Sequence, residues 1–190
     1  MLILVLGPSG VGKSTLIARL NTELGMRVVH TYTTRPARAD DLFKTSVPST
    51  SIDALAQQGR LFLRKPPIFD HEYAEDWHQL QVALCSKRLQ LWLLDMGWRN
   101  LSLYRSSQTR HVLLLPKCIN DLAIRLNLSG RTNRHVSETA ELHHWKELAR
   151  EHQTSYDWCT IETHDDDTEA VFLLARSAIA IWVDTCKLEN

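Results

Sequence analysis

Gly7-Pro8-Ser9-Gly10-Val11-Gly12-Lys13-Ser14-Thr15, preceded by Leu2-Ile3-Leu4-Val5-Leu6 and followed by Leu16-Ile17-Ala18-Arg19-Leu20, decides the reading of this chain. The order is apolar strand, glycine loop, helix, the setting that a phosphate-binding P-loop requires. Gly7, Gly10 and Gly12 permit positive φ and let the backbone approach an anion with no Cβ in the way. Successive N–H groups of Ser9, Gly10, Val11, Gly12, Lys13, Ser14 and Thr15 are expected to form an anion nest at the positive end of the following helix. Lys13 then reaches the β- and γ-phosphates, and the Ser14 hydroxyl ligates Mg²⁺. The competing reading is a glycine-rich turn with an exposed lysine, which the flanking strand and helix disfavour. The expected ligand is a nucleoside triphosphate.

At 190 residues the chain suits one domain with a core of its own. Lys plus Arg is 22 and Asp plus Glu is 22, so no net field draws it to nucleic acid or a membrane surface. The six tryptophans are scattered and read as core or core-edge residues, not a stacking platform for bases. Cys85, Cys118, Cys159 and Cys186 form no CxxC pair and are expected to be buried thiols in a reducing cytoplasm. His143 and His144 are adjacent, so they point to different sides of a helix and do not read as shared metal ligands. Met1-Leu2-Ile3 lacks a basic leader and its apolar run stops at Gly7, which predicts a buried strand instead of a signal peptide or membrane span. The expectation is a cytoplasmic enzyme, monomer or homodimer, with a small-molecule partner.

Downstream, the first helix is expected to end near Gly25, and Met26–His30 reads as a second short strand. Pro36 in Thr31-Tyr32-Thr33-Thr34-Arg35-Pro36-Ala37-Arg38 favours an extended loop there. Its two arginines beside hydroxyls suit a phosphate monoester, whose oxygens match guanidinium forks; a solvated basic loop is the alternative. Residues 52–58 read as a helix with Ser51 as N-cap and Gly59 as stop, and Leu61–Leu63 as a strand. Helical spacing predicts a helix over Glu75–Arg88, and Leu91–Asp95 reads as a strand ending in an acid. Carboxyl ends of strands face the ligand crevice in open α/β sheets, so Asp95 is expected beside the P-loop. His111–Pro116 and Trp158–Ile161 complete the strands, with helices near 119–126 and 137–152. A last helix, capped by Asp166 or Asp167, carries the apolar stripe Ala170, Val171, Leu174, Ala178 and Ile181.

The pair GPSGVGKST and TTRPAR, one helix and one strand apart, resembles the guanylate kinase family. The resemblance implies an α/β P-loop NTPase fold with a parallel sheet flanked by helices. It also implies a single domain, residues 1–190, with a small acceptor lobe over about 31–76 and a lid over about 128–140. It assigns ATP and Mg²⁺ to the glycine loop and the acceptor phosphate to Thr31, Arg35 and Arg38, with Asp41 where the family has a glutamate. Tyr73 remains as an acceptor contact. Asp95 matches the first acid of a strand-end pair, to hold Mg²⁺-bound water or an acceptor hydroxyl; a turn or cap aspartate is the other reading. Arg99 is a further acceptor candidate. Arg131 and Arg134 match a lid that folds over the triphosphate and adds charge at the transferring phosphoryl. Thr163-His164-Asp165-Asp166 takes the place of a loop that borders the adenine.

The implied function is phosphoryl transfer from ATP to a phosphate-bearing small molecule, GMP or a related nucleoside monophosphate. Thr31, Arg35, Arg38 and Asp41 favour that acceptor. The chain departs from the family where the guanine-reading glutamate falls near Leu63 or Arg64, and where the Tyr-Gly-Ser/Thr element is reduced to Glu72-Tyr73-Ala74-Glu75. A branch that phosphorylates ribose 1,5-bisphosphate shares the missing glutamate and the His30-x-Tyr32-x-Thr34-Arg35 spelling, and is the alternative. A non-catalytic binding module on the same fold is a second alternative, although its expected mark, a degraded glycine loop, is missing.

Overall fold

A computed structural model of the protein describes residues 1–38, 41–63, 70–85, 90–96, 101, 104, 108–128, 135–164 and 167–188. Strand β1 (Leu2–Leu6) is buried along its whole length and forms the centre of a five-stranded sheet. Its neighbours are β7 (Trp92–Asp95) and β8 (Thr109–Pro116), with β2 (Arg27–Val28) and β9 (Trp158–Thr163) outside them. Every pairing in this sheet is parallel. A parallel sheet is covered on both faces, which is why β1 is apolar at successive positions instead of alternating. Ile3 and Val5 pack under α1 (Lys13–Leu24) and α6 (Thr168–Leu188), against Leu16, Leu20, Phe172 and Ile179. Leu2, Leu4 and Leu6 face the other way, toward α3 (Trp77–Cys85) and α5 (His135–Glu151), against Leu80, Leu142 and Trp145. The fold is a three-layer α/β sandwich with a P-loop between β1 and α1.

A second sheet has the order β4 (Lys44–Ser46), β3 (Thr31–Thr33), β6 (Tyr73–Asp76), β5 (Leu61–Leu63). Strand β3 runs parallel to β4 and antiparallel to β6. One face is closed by α2 (Ser49–Gln57) through Ile52, Leu55, Leu61 and Ala74. The chain passes between the sheets at Val29 and His30. The Val29 N–H donates to Leu93 O in the large sheet, whereas His30 O accepts from the Asp76 N–H beside the small one.

Several expected boundaries move. The second strand keeps only Arg27–Val28, because Val29 and His30 already turn toward the small sheet. The helix expected from Glu75 begins at Trp77, since Glu75 pairs with Thr31 and Phe62 in the β ladder. Asp76 marks that switch by accepting the Gln79 N–H at 2.9 Å. The helix expected at 52–58 starts earlier, at Ser49 after Pro48 and without a side-chain cap from Ser51; Gly59, at φ 68°, does stop it. Helix α5 is polar over most of its length and sinks Leu142 and Trp145 into the core.

The stripe on α6 is displaced by about one residue. Phe172, Ala175, Ile179 and Trp182 are buried, while Leu174 and Ile181 are 54% and 62% exposed. A helix that is apolar most of the way round offers two faces, and packing against β9 and α1 selects the one with the larger rings. The thiols also differ from expectation. Cys85 and Cys118 are exposed, Cys159 and Cys186 partly buried, and none of the four forms a disulfide. His143 and His144 both reach Glu147, so they are less divergent than adjacency implied. No described helix is long and apolar enough to cross a membrane.

Candidate active site

The glycine loop takes its shape from three left-handed turns. Gly7 has φ 134°, and a Cβ there would lie 2.3 Å from Leu114 O of β8, so only glycine lets β1 leave the sheet at this point. Gly10, at φ 81°, lies beside Leu126 of α4 (Ile119–Leu128), and Gly12, at φ 103°, is the N-cap of α1. Val11 is buried and anchors the loop in the core, leaving its backbone for the ligand side. Ser14 and Thr15 occupy the exposed first turn of α1. Lys13 folds back along the loop: its Nζ donates to Gly7 O at 2.8 Å and to Pro8 O at 2.9 Å. It also lies 3.9 Å from Asp95 Oδ1 at the carboxyl end of β7. Strand-end reasoning therefore puts Asp95 where the structure has it, beside the loop lysine.

On one side of the loop is a cavity of about 650 Å³. Gly10, Gly12 and Thr15 line it together with the apolar Val171 and Phe172 and the polar Arg125, Thr163 and His164. Such a slot beside the anion nest suits the base and sugar of a nucleotide whose phosphates lie on the loop. Thr163 and His164 come from the segment expected to border the adenine; Asp165 and Asp166 lie outside the described residues. Asp167 caps α6 by accepting the Ala170 N–H at 3.1 Å.

On the other side, a narrow crevice separates the two sheets, lined by Ser14, Thr31, Asp41, Phe43, Lys44 and Asp95. The arginine loop stands at its edge in a particular arrangement. Arg35 Nη2 donates to Asp41 Oδ1 at 2.5 Å and to Oδ2 at 2.7 Å, and Nη1 donates to Pro36 O. Asp41 Oδ2 also accepts the Arg38 N–H at 2.9 Å. The Arg35 side chain is only 5% exposed. Asp41, expected as an acceptor contact, thus organises its own loop. Tyr73 pairs with Thr33 across β6 and β3. Arg99, Arg131 and Arg134 lie outside the described residues.

Two polar groups of the small sheet belong to no motif. Lys44, in register with Thr31, donates from Nζ to Asp95 Oδ2 at 2.5 Å, linking the small sheet to the large one. Glu75 is fully buried and accepts the Tyr104 hydroxyl. Both sit on the face of the small sheet that carries Thr31 and Thr33, opposite the apolar face under α2. The signal that exposes them is alternation across neighbouring strands, which three- and four-residue strands display only once their pairing is known.

The loop between β1 and α1, the parallel sheet and the strand-end acid define a protein with the P-loop NTPase fold. By structure it is similar to a guanylate kinase from Anaplasma phagocytophilum at TM-score 0.62 and 15% identity, covering 97% of this chain and 85% of the other. It is also similar to a gluconokinase from Sinorhizobium meliloti at TM-score 0.53 and 15% identity, covering 99% and 96%. No family model matches the sequence, and no curated protein matches it. The fold is therefore the one these two P-loop kinases share.

Proposed function

We propose that the chain is an ATP-dependent phosphotransferase whose acceptor carries a phosphate, GMP or a related nucleoside monophosphate, with GDP and ADP as products. One observation carries this reading: Lys13 and Ser14 of the glycine loop meet Asp95 in a crevice whose far wall is Thr31, Asp41 and Lys44. A hydrolase has no use for a second cation, Lys44, facing its triphosphate across the crevice, but a transferase does. The triphosphate lies on residues 7–15, with its base in the cavity beside Phe172. Ser14 and, through water, Asp95 are the groups that fit Mg²⁺, which supplies charge neutralisation on the phosphate oxygens.

Transfer is in line. An acceptor phosphate oxygen attacks the γ-phosphorus, the bond to the β–γ bridging oxygen breaks, and ADP leaves with that electron pair. The acceptor oxygen is already ionised, so no general base is required. Lys13 neutralises the charge that develops, with Arg131 and Arg134 proposed as its partners from a lid over 128–140. The acceptor lobe is proposed to span residues 31–76, in a cytoplasmic monomer or homodimer.

Ribose 1,5-bisphosphate is the second reading. Leu63 or Arg64 stands where a guanine-reading glutamate is expected, and buried Glu75 replaces a hydroxyl in the Tyr-Gly-Ser/Thr element. A guanine edge without its partners loses about 1–3 kcal/mol per unsatisfied group, enough to erase base selection. A coupled assay with GMP, dGMP, other nucleoside monophosphates and ribose 1,5-bisphosphate tests both. ADP formation that requires GMP supports the first acceptor, and formation that requires only the sugar bisphosphate replaces it with the second. ATP loss without any acceptor denotes a hydrolase, and no ATP consumption a binding module.

A further inference from the structure

We infer that Lys44 is the anchor for the acceptor's phosphate, in the place that the loop motif gives to Arg35. The inference rests on the phosphotransferase reading and deepens it. Arg35 is poorly placed to offer its fork: Asp41 takes both short bonds, Pro36 O takes another, and the side chain is buried. Presenting it to a ligand means breaking a buried ion pair and leaving the Asp41 carboxylate with the Arg38 N–H in place of a guanidinium, which is strongly unfavourable. Lys44 has no such commitment to its own sheet. Its ammonium reaches across the crevice to Asp95, is 22% exposed, and stands beside the paired Thr31. Ammonium and threonine hydroxyl lining one narrow space are donors suited to a phosphate dianion.

Asp95 serves two lysines at once, Lys44 at 2.5 Å and Lys13 at 3.9 Å. With substrates bound, the triphosphate replaces this carboxylate on Lys13 and the acceptor phosphate replaces it on Lys44. Asp95 is thereby an internal competitor for the acceptor, and each lysine exchanges one anion for another without being left unpaired in the crevice. The alternative is that Lys44 only latches the sheets together, in which case its loss affects both ligands alike.

Calorimetric titration separates these roles. Wild type, Lys44→Gln, Lys44→Arg and Asp95→Asn are each titrated with GMP, with ribose 1,5-bisphosphate, and with the non-hydrolysable ATP analogue AMPPNP plus Mg²⁺. Lys44→Gln should weaken the phosphate ester that wild type binds by about 10- to 100-fold and change AMPPNP by less than about twofold. Lys44→Arg should recover most of the loss. Asp95→Asn, without nucleotide, should bind the ester more tightly than wild type. Unchanged ester affinity in Lys44→Gln, or equal losses for ester and AMPPNP, overturns the assignment, as does wild type that binds neither ester. The kinase reading fails separately: ester binding that depends on Lys44 with no phosphoryl transfer leaves the anchor standing and removes the reaction.

Discussion

Lys13 and Lys44 are each held at the crevice by oxygens of the protein itself. Lys13 lies against Gly7 O, Pro8 O and Asp95. Lys13→Ala should therefore leave the fold unchanged while slowing phosphoryl transfer by roughly 10²-fold or more, comparable to removing one preorganised donor. Circular dichroism together with single-turnover rates checks this, and wild-type turnover would remove the loop from the chemistry. Arg35 differs, because its partner is structural. Asp41→Ala should destabilise the chain by about 3 kcal/mol, since a guanidinium is left buried beside a loop that has lost its tie; urea unfolding measures it. At this scale the sequence was legible where a residue belongs to a motif or to a strand end, as with Lys13, Ser14 and Asp95. It was opaque at Lys44 and Glu75. Their positions follow from the pairing of short strands far apart in the chain, Lys44 with Thr31 and Glu75 with both Thr31 and Phe62.

Elements in this fold are positioned by close backbone approaches as much as by apolar stripes. Gly7 lets β1 turn against β8, and Gly10 lets the loop touch α4 at Leu126. Gly12 meets nothing within 4 Å, so its demand is backbone conformation alone. Gly7→Ala should accordingly cost more stability than Gly12→Ala. A strained positive φ costs roughly 1–3 kcal/mol in both, and Gly7 adds a clash with Leu114 O. Parallel urea melts of the two variants test the order, and equal losses would mean that the turn relaxes away from β8. The large sheet was readable because fully buried parallel strands are continuous apolar runs, β1 and β8 above all. The phase of α6 was not. Leu173, Leu174 and Ile181 make its exposed face nearly as apolar as the face that packs, and only the neighbours decide between them. The switch from strand to helix at Asp76 was hidden for a related reason: Trp77, Leu80 and Leu84 extend a helical pattern backward across residues whose partners lie in β3 and β5.

For the whole molecule, the two ends of the central sheet do different work. The carboxyl end carries the crevice, while near the amino ends of β8 and β9 a stack of rings closes the core. Trp158 lies between His111, 4.3 Å away, and His152, 4.1 Å away. The Arg110 guanidinium lies over the Tyr156 ring, and Trp182 Nε1 donates to Tyr156 O, which ties α6 to the same corner. Burial pushes His111 down to about 4, outweighing the opposing pull of Asp157, whose backbone oxygen lies 3.3 Å from Nδ1; His152 and Arg110 lower it slightly further. The unfolded chain binds this proton near pH 6.5 and the folded one only near 4, so the unfolded state takes up more protons between those values. Stability from this group is complete above about pH 6.5 and is lost progressively as pH falls toward 4, by roughly 3 kcal/mol in the limit. His30, also lowered chiefly by burial, adds a slope of the same sign, so a single substitution should reduce the acid sensitivity without abolishing it. His111→Phe keeps an aromatic ring against Trp158 and removes the titration. Urea midpoints at pH 7.5, 5.5 and 4.5 should therefore fall less steeply for the variant, while AMPPNP affinity at pH 7.5 stays as in wild type because the stack is remote from the glycine loop. Identical acid slopes for the two proteins would mean that the loss of stability arises elsewhere, with the carboxylates at the crevice as the next groups to test.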